Sequence, residues 1–200
     1  MKNLKNVLFG KEFQTQISFV GLFNAGKTTL VKQFKQMSGS DEVIESAYHP
    51  TMGLSMEIFK LGELEVVAAD LGGQQSFQES FWKPFVSKSA SVVFVFDSAD
   101  LNRVNEAGVA LKKVLKWIPN NCSFLFLANK MDLANALKLE EIIERLKLKD
   151  QIKERPHSFG VYQISALKGT NLQEPINWLI DQIEKINKQK AKEPTQEDSE

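Results

Sequence analysis

The segment spanning residues 21–28 constrains the fold of this chain more than any other feature. Its sequence, GLFNAGKT, fits the pattern GxxxxGK[ST] and lies between an apolar run at residues 17–20 and a run of helical periodicity at residues 28–37. A tight turn from a buried strand into such a helix directs successive backbone N–H groups and the positive helix end at one point. The pattern therefore predicts a polyphosphate site, although an ordinary glycine-rich strand-to-helix turn also fits it.

Two side chains of this loop have the chemistry that a nucleotide phosphate needs. Lys27 can reach the β- and γ-phosphates, and the Thr28 hydroxyl can ligate Mg²⁺. The loop residues predicted to bind nucleotide are Asn24, Ala25, Gly26, Lys27, Thr28 and Thr29.

The composition favours one domain with a single sizeable core, because 42% of the 200 residues are hydrophobic. Twenty-five basic and twenty-five acidic residues cancel, so no overall field favours nucleic acid, and we expect no nucleic-acid partner. We also expect a monomer. The lone Cys122 beside an apolar run indicates a buried or edge thiol in a reducing compartment. No apolar stretch approaches the ~20 residues of a membrane span, and residues 1–10 lack the apolar region of a signal peptide, so we expect a cytoplasmic protein.

Strand-like and helix-like runs alternate along the chain, which predicts an α/β fold with a mostly parallel sheet and helices on both faces. Six strands are predicted at residues 17–20, 52–60, 64–69, 91–96, 124–128 and 161–164, the second and third forming a hairpin that makes one strand antiparallel. Five helices are predicted at residues 28–37, 75–87, 102–117, 139–149 and 172–186. We expect an N-terminal amphipathic segment at residues 1–14, the domain at 15–187, a mobile loop at 38–49 and a disordered polar tail at 188–200.

A second group of candidate residues follows the predicted strand at 64–69, where ligands bind in such sheets. Asp70 can hold a Mg²⁺-bound water, the Gly73 N–H can bind a γ-phosphate, and Gln74 is the candidate catalytic residue that orients the attacking water. Thr51, in the loop between the first predicted helix and the hairpin, can complete the Mg²⁺ shell when a γ-phosphate is present. Taken alone, Asp70 would fit a helix N-cap equally well.

The sequence NKMD at residues 129–132 discriminates between bases. A carboxylate can accept two hydrogen bonds from the N1–H and N2–H₂ edge of guanine, whereas adenine has no such donor pair, so Asp132 predicts GTP or GDP as the ligand. Lys130 can lie along the base face, Asn129 can brace the loop, and the Ala166 N–H can donate to guanine O6. A solvated turn without a ligand is the alternative. The base-site candidates are Asn129, Lys130, Asp132, Ser165, Ala166 and Leu167.

Together, these motifs span residues 20–186 and resemble the small GTPases of the Arf and Sar family. GLFNAGKTT is similar to the family's GLDxAGKTT, residues 50–53 to its PTxG, and residues 70–74 to its DxGGQ. Residues 49–51 and 70–73 favour the Sar branch and Gln74 the Arf branch, so both remain open. The implied fold is the P-loop small G domain.

The resemblance implies a switch that binds GTP or GDP with Mg²⁺, hydrolyses GTP slowly without an activator and regulates membrane trafficking. It implies an exchange factor, a GTPase-activating protein and effectors as partners, and a two-strand hairpin that shifts register. It also implies an N-terminal helix that contacts membranes reversibly in the GTP state. Leu4, Val7 and Leu8 fall on one face of such a helix, although the segment could instead dock on the protein itself. Lys2 replaces the glycine that N-myristoylation requires.

Three features depart from the family pattern. Phe23 replaces the family's Asp in the phosphate loop, Ala69 replaces its Trp, and the loop at 38–49 is longer than usual. Phe23 motivates a second hypothesis, a GTP-binding scaffold or interaction module with little hydrolysis. A P-loop ATPase or nucleotide kinase is disfavoured by Asp132 and by the absence of an Arg-rich lid segment.

Overall fold

A seven-stranded sheet forms the centre of the fold in the computed structural model, which describes residues 15–37, 45–49, 54–73, 78–154 and 158–190. The strands are β1 Thr15–Val20, β2 Glu45–His49, β3 Leu54–Leu61, β4 Leu64–Leu71, β5 Ser91–Asp97, β6 Ser123–Asn129 and β7 Phe159–Gln163. Their order is β2-β3-β4-β1-β5-β6-β7. Strand β3 is antiparallel to both of its neighbours, whereas the pairs from β4 to β7 are parallel. The predicted class, a mostly parallel sheet with one antiparallel strand, is confirmed.

Strand β2 makes seven strands rather than the six predicted. Residues 45–49 were expected to belong to a mobile loop, but they pair antiparallel with β3 from Glu45 opposite Ile58 to His49 opposite Leu54. Their sequence, ESAYH, lacks the apolar alternation that indicates a strand. An edge strand needs only the backbone groups of its neighbour, so its side chains carry little signal.

The helices lie between the strands. They are α1 Lys27–Met37, α2 Lys83–Val86, α3 Val104–Trp117, α4 Leu139–Arg145, α5 Leu148–Glu154 and α6 Gln173–Lys190. A π-helical turn at Gln78–Trp82 precedes α2, and a 3₁₀ turn at Leu101–Arg103 precedes α3.

Three helices differ from the prediction. Of the helix predicted at 75–87, the described residues contain a π-helical turn at Gln78–Trp82 and an α-helix of only four residues, Lys83–Val86. The single helix predicted at 139–149 is instead α4 followed by the start of α5, because Lys147 between them has a left-handed φ of 55° that an α-helix cannot continue through. The described residues therefore contain six α-helices rather than five. Helix α6 extends to Lys190, so the first three residues of the predicted tail are helical. The rest of that tail and the N-terminal segment lie outside the described residues.

The core has two layers, one on each face of the sheet. Helices α1 and α6 pack on one face with Val93 and Val95 of β5, whereas residues of α2, α3, α4 and α5 pack on the other with Phe94 and Phe96. Cys122 is buried in the second layer, as predicted. Among the described residues, no helix is long and apolar enough to cross a membrane.

Aromatic rings connect the strands on the second face. Phe94 of β5 stacks on Phe126 of β6 with ring centroids 5.8 Å apart. Phe124 of β6 contacts Phe159 of β7 at 4.9 Å. We call these four residues the phenylalanine ladder; it joins three adjacent strands.

Candidate functional site

The loop at residues 21–28 has the predicted turn between β1 and α1. Its backbone adopts left-handed conformations at Asn24, with φ of 64°, and at Gly26, with φ of 97°. Asparagine tolerates this region, whereas a Cβ at Gly26 would lie only 2.3 Å from Asn129 Nδ2. The loop thus passes so close to the end of β6 that position 26 must be glycine.

The Lys27 side chain folds back over this loop. It is 7% exposed, and Nζ donates to the Gly21 and Leu22 carbonyls at 3.1 Å each. Burial lowers the Lys27 pKa from 10.5 to about 8, Asp70 opposes the shift, and Arg103 reinforces it. A cation held in this way gains most from an anion placed at the loop, because the anion would offset its desolvation.

Thr28 and Asp70 meet beside Lys27. The Thr28 hydroxyl donates a short hydrogen bond to Asp70 Oδ2, which joins the start of α1 to the end of β4. Burial raises the Asp70 pKa, opposed by the Thr28 hydrogen bond and the Lys27 charge. Asp70 lies within β4 and not at a helix N-terminus, so the capping interpretation is wrong. Hydroxyl and carboxylate oxygens are ligands that Mg²⁺ prefers, and the pair therefore fits that ion.

Gly73 packs directly on the loop. Its carbonyl accepts a hydrogen bond from the Phe23 N–H at 3.2 Å. A Cβ at this position would lie 2.2 Å from the Phe23 nitrogen and 2.3 Å from the Leu22 carbonyl carbon, both of them backbone atoms. The chain after β4 can approach this closely only with glycine. The predicted residues Thr51 and Gln74 lie outside the described residues.

Asn129 joins the two halves of the predicted site. It is 2% exposed, its Nδ2 donates to the Ala25 carbonyl at 2.8 Å, and its Oδ1 accepts the Ala166 N–H at 2.9 Å. The side chain thus braces the loop, as predicted. The Ala166 N–H was predicted to donate to guanine O6; because Asn129 Oδ1 takes this donor, a contact with the base would have to share it.

The remaining base-site candidates lie close together. A hydrogen bond from the Ser165 side chain lowers the Asp132 pKa, and the charges of Lys168 and Lys130 act in the same direction. The Asp132 carboxylate is therefore ionised and acts only as an acceptor at neutral pH. Ser165 is fixed in turn by two backbone hydrogen bonds with Thr170, at 3.1 and 3.0 Å. Leu167 is 76% exposed.

Comparison with known proteins identifies the chain. The sequence model of the ADP-ribosylation factor (Arf) family matches residues 1–183. The chain belongs to the Arf family. It is 34% identical to ADP-ribosylation factor-like protein 2 of Dictyostelium discoideum, with 92% of each chain covered, and 32% identical to ADP-ribosylation factor-like protein 6 of Danio rerio, with 86% of this chain and 90% of that protein covered.

A solved structure agrees with this assignment. The Arl6 BBS3 small GTPase from Trypanosoma brucei, solved with the bound nucleotide analogue GppNp, superposes with a TM-score of 0.70 at 28% identity, covering 86% of this chain and 98% of the other. The P-loop small G domain is thereby confirmed. As a member of the Arf family, the chain is a guanine-nucleotide-binding switch and a GTP hydrolase.

Sequence reasoning missed two charged residues at the site of this Arf-family protein. Arg103 Nη1 donates to the Phe23 carbonyl at 2.9 Å, and its Nε pairs with Asp100 at 2.6 Å. Asp97 pairs with Lys130 Nζ at 2.6 Å. Asp97 ends β5 just as Asn129 ends β6, so the rule that ligand sites lie at carboxyl strand ends could have identified it.

Proposed function

We propose that this Arf-family protein binds GTP and GDP together with Mg²⁺, with the Thr28 hydroxyl as a metal ligand and Asp70 holding a metal-bound water, and that it regulates membrane trafficking. The observation that carries the proposal is the contact between the Thr28 hydroxyl and the Asp70 carboxylate. Their oxygens come from different elements and meet beside the buried Lys27 ammonium. Bound there, Mg²⁺ would neutralise phosphate charge and hold the β- and γ-phosphates in one geometry.

The protein's own residues would divide the work as follows. Lys27 exchanges its two carbonyl partners for phosphate oxygens, and the loop N–H groups hold the remaining phosphate charge. Gly73 gives its N–H to the γ-phosphate, Thr51 joins the metal shell, and Gln74 orients the attacking water. Asp132 selects guanine, with Asn129 keeping the two loops together.

A Thr28 substitution tests the metal assignment. We expect Thr28→Ala to release a fluorescent GDP analogue at nearly the same rate with and without EDTA, because the hydroxyl ligand is gone. Thr28→Ser is the matched control, since it keeps the hydroxyl and should retain the Mg²⁺ dependence of the wild type. If Thr28→Ala responds to EDTA as the wild type does, Thr28 is not a metal ligand.

Phe23 supports a second candidate function, a GTP-binding scaffold with very slow turnover. Its large apolar side chain is 64% exposed at the phosphate loop, where the family carries Asp. Single-turnover hydrolysis of the wild type and Phe23→Asp separates the two functions. A switch should hydrolyse GTP at a readily measured rate in the wild type, whereas a scaffold should turn over very slowly until the substitution raises its rate.

We propose that the protein is cytoplasmic, that an exchange factor, a GTPase-activating protein and effectors act on it, and that it contacts membranes peripherally in the GTP state. Support for the membrane contact comes from the sequence, in which helical periodicity predicts that Leu4, Val7 and Leu8 share one apolar face; such a face gives only marginal affinity without an acyl chain. GTP-loaded protein should sediment with anionic liposomes more than GDP-loaded protein, and Leu4→Asp with Leu8→Asp should abolish the difference. Equal sedimentation of the two wild-type states would exclude this segment as a membrane switch.

A further inference from the structure

We propose that Asp97 is a positioning residue of the guanine site, whose carboxylate holds the Lys130 side chain ready to lie along the base. Asp97 belongs to none of the nucleotide-binding motifs. The inference rests on the proposed function, because the contact between Lys130 and the base is part of that function.

The topology places Asp97 beside the base loop. Strands β5 and β6 are parallel neighbours, and their last residues, Asp97 and Asn129, are register partners. Lys130 directly follows Asn129 and has a left-handed φ of 68°. The sheet thus fixes both backbones from which the ion pair extends.

The ion pair between Asp97 and Lys130 is short and shielded. Lys130 Nζ lies 2.6 Å from Asp97 Oδ2, and the two side chains are 24% and 11% exposed, respectively. A charge-assisted hydrogen bond at this distance is among the stronger ones in proteins. Its low exposure reduces the screening that makes surface pairs weak.

The Asp97 carboxylate is itself held in place. Its other oxygen, Oδ1, accepts the Ala99 N–H at 3.0 Å. Ser98, which lies between Asp97 and Ala99, is fixed through both of its backbone groups. Its N–H donates to the Asn129 carbonyl at 2.9 Å, and its carbonyl accepts the Leu137 N–H at 2.8 Å. One carboxylate oxygen therefore sets the orientation of the group, and the other is directed at Lys130.

A lysine needs such a partner to act as a platform for a base. Its ammonium sits on a flexible four-carbon stem, so a lysine without a partner would have to be ordered by each nucleotide that binds. Ordering the side chain beforehand removes that cost and raises affinity without a new ligand contact. Asp97 supplies this order from outside the nucleotide pocket.

The test compares GDP with IDP, because inosine lacks the N2 amino group that Asp132 reads but presents a similar ring face to Lys130. We expect Asp97→Ala to weaken both nucleotides by the same factor, roughly ten- to hundredfold. Asp97→Asn keeps an acceptor for Lys130 and should lose less. In a Lys130→Ala background, Asp97→Ala should have no further effect. Asp181→Ala, on an exposed position of α6, is the matched control for loss of a carboxylate.

Three results would overturn the inference. The first is wild-type nucleotide affinity in Asp97→Ala, and the second is an equal loss of affinity on Asp97→Ala whether or not Lys130 is present. The third is a changed ratio of GDP to IDP affinity, because it would mean that Asp97 merely maintains the loop around Asp132. A separate variant tests the proposed base recognition itself. If that proposal is wrong, Asp132→Asn will leave the ratio of GDP to IDP affinity unchanged.

Discussion

Asn129→Ala removes a buried amide that joins the phosphate loop to the loop after β7. The two hydrogen bonds lost are those to the Ala25 carbonyl and from the Ala166 N–H, at 2.8 and 2.9 Å. Both partner residues are buried, and an unpaired buried group costs ~1–3 kcal/mol. The free energy of unfolding should therefore fall by roughly 2–6 kcal/mol, a large part of the roughly 5–15 kcal/mol of a typical domain.

Thermal unfolding followed by circular dichroism measures this loss. For a chain of this size, each kcal/mol shifts Tm by roughly 2–4 °C, so we expect a decrease of about 4–24 °C. Saturating GDP should restore part of it by mass action. GDP affinity should also fall, because the two loops that we propose bind the nucleotide are no longer joined.

Ser98 provides the matched control. It is buried next to Asp97, and its hydroxyl has no hydrogen-bond partner among the described residues. Ser98→Ala therefore removes a buried polar atom without breaking a bond and should leave Tm near the wild-type value. The reasoning fails if Asn129→Ala costs less than about 1 kcal/mol, or if both variants lose the same stability.

Three further predictions concern other site residues. Asp132→Asn should weaken GDP at least tenfold and improve xanthosine diphosphate relative to it, since an amide cannot accept both guanine donors; unchanged GDP affinity by calorimetry would contradict this. Because the folded pKa of Lys27, about 8, lies below its unfolded value of 10.5, the nucleotide-free protein should gain unfolding free energy as pH rises between these values. Lys27→Met should remove that gain, and a slope equal to the wild type's would refute the assignment. Gln74→Leu should slow single-turnover hydrolysis without changing GTP affinity, and an unchanged rate would show that Gln74 does not orient the water.

Local patterns in the sequence predicted most of this fold and much of the site. The hairpin turn after Leu61, the buried strands β5 and β6 and the loop before α1 all depend on residues near one another in the chain. Asp70 was placed beside Thr28 because strand ends and motif order together determine which residues meet. For such features, periodicity and spacing carry the structural information.

Two of the features missed depend on distant partners, and the third is a local change of backbone conformation. Strand β2 forms because β3 offers backbone groups, and its own side chains show no strand pattern. The break at Lys147 is a local backbone reversal inside a sequence that favours helix throughout. Asp97 lies just beyond the strand predicted at 91–96 and was not among the candidate residues, since its partner Lys130 is 33 residues away.

The phenylalanine ladder makes strands β5 to β7 harder to slide along one another than strand β4 at the other side of β1. A slip of one residue in β5, β6 or β7 would turn each ring of that strand to the opposite face, so these strands resist sliding. Strand β4 instead carries Val66, Val67, Ala68 and Ala69, whose small side chains interlock less with their neighbours. If the hairpin of β3 and β4 slides, the strain should therefore fall on β4 and the loop after it. The strands β5 and β6, which end at Asp97 and Asn129, should keep their positions relative to each other. The residues that we propose contact the base would then keep the same rigid support before and after the phosphate is lost.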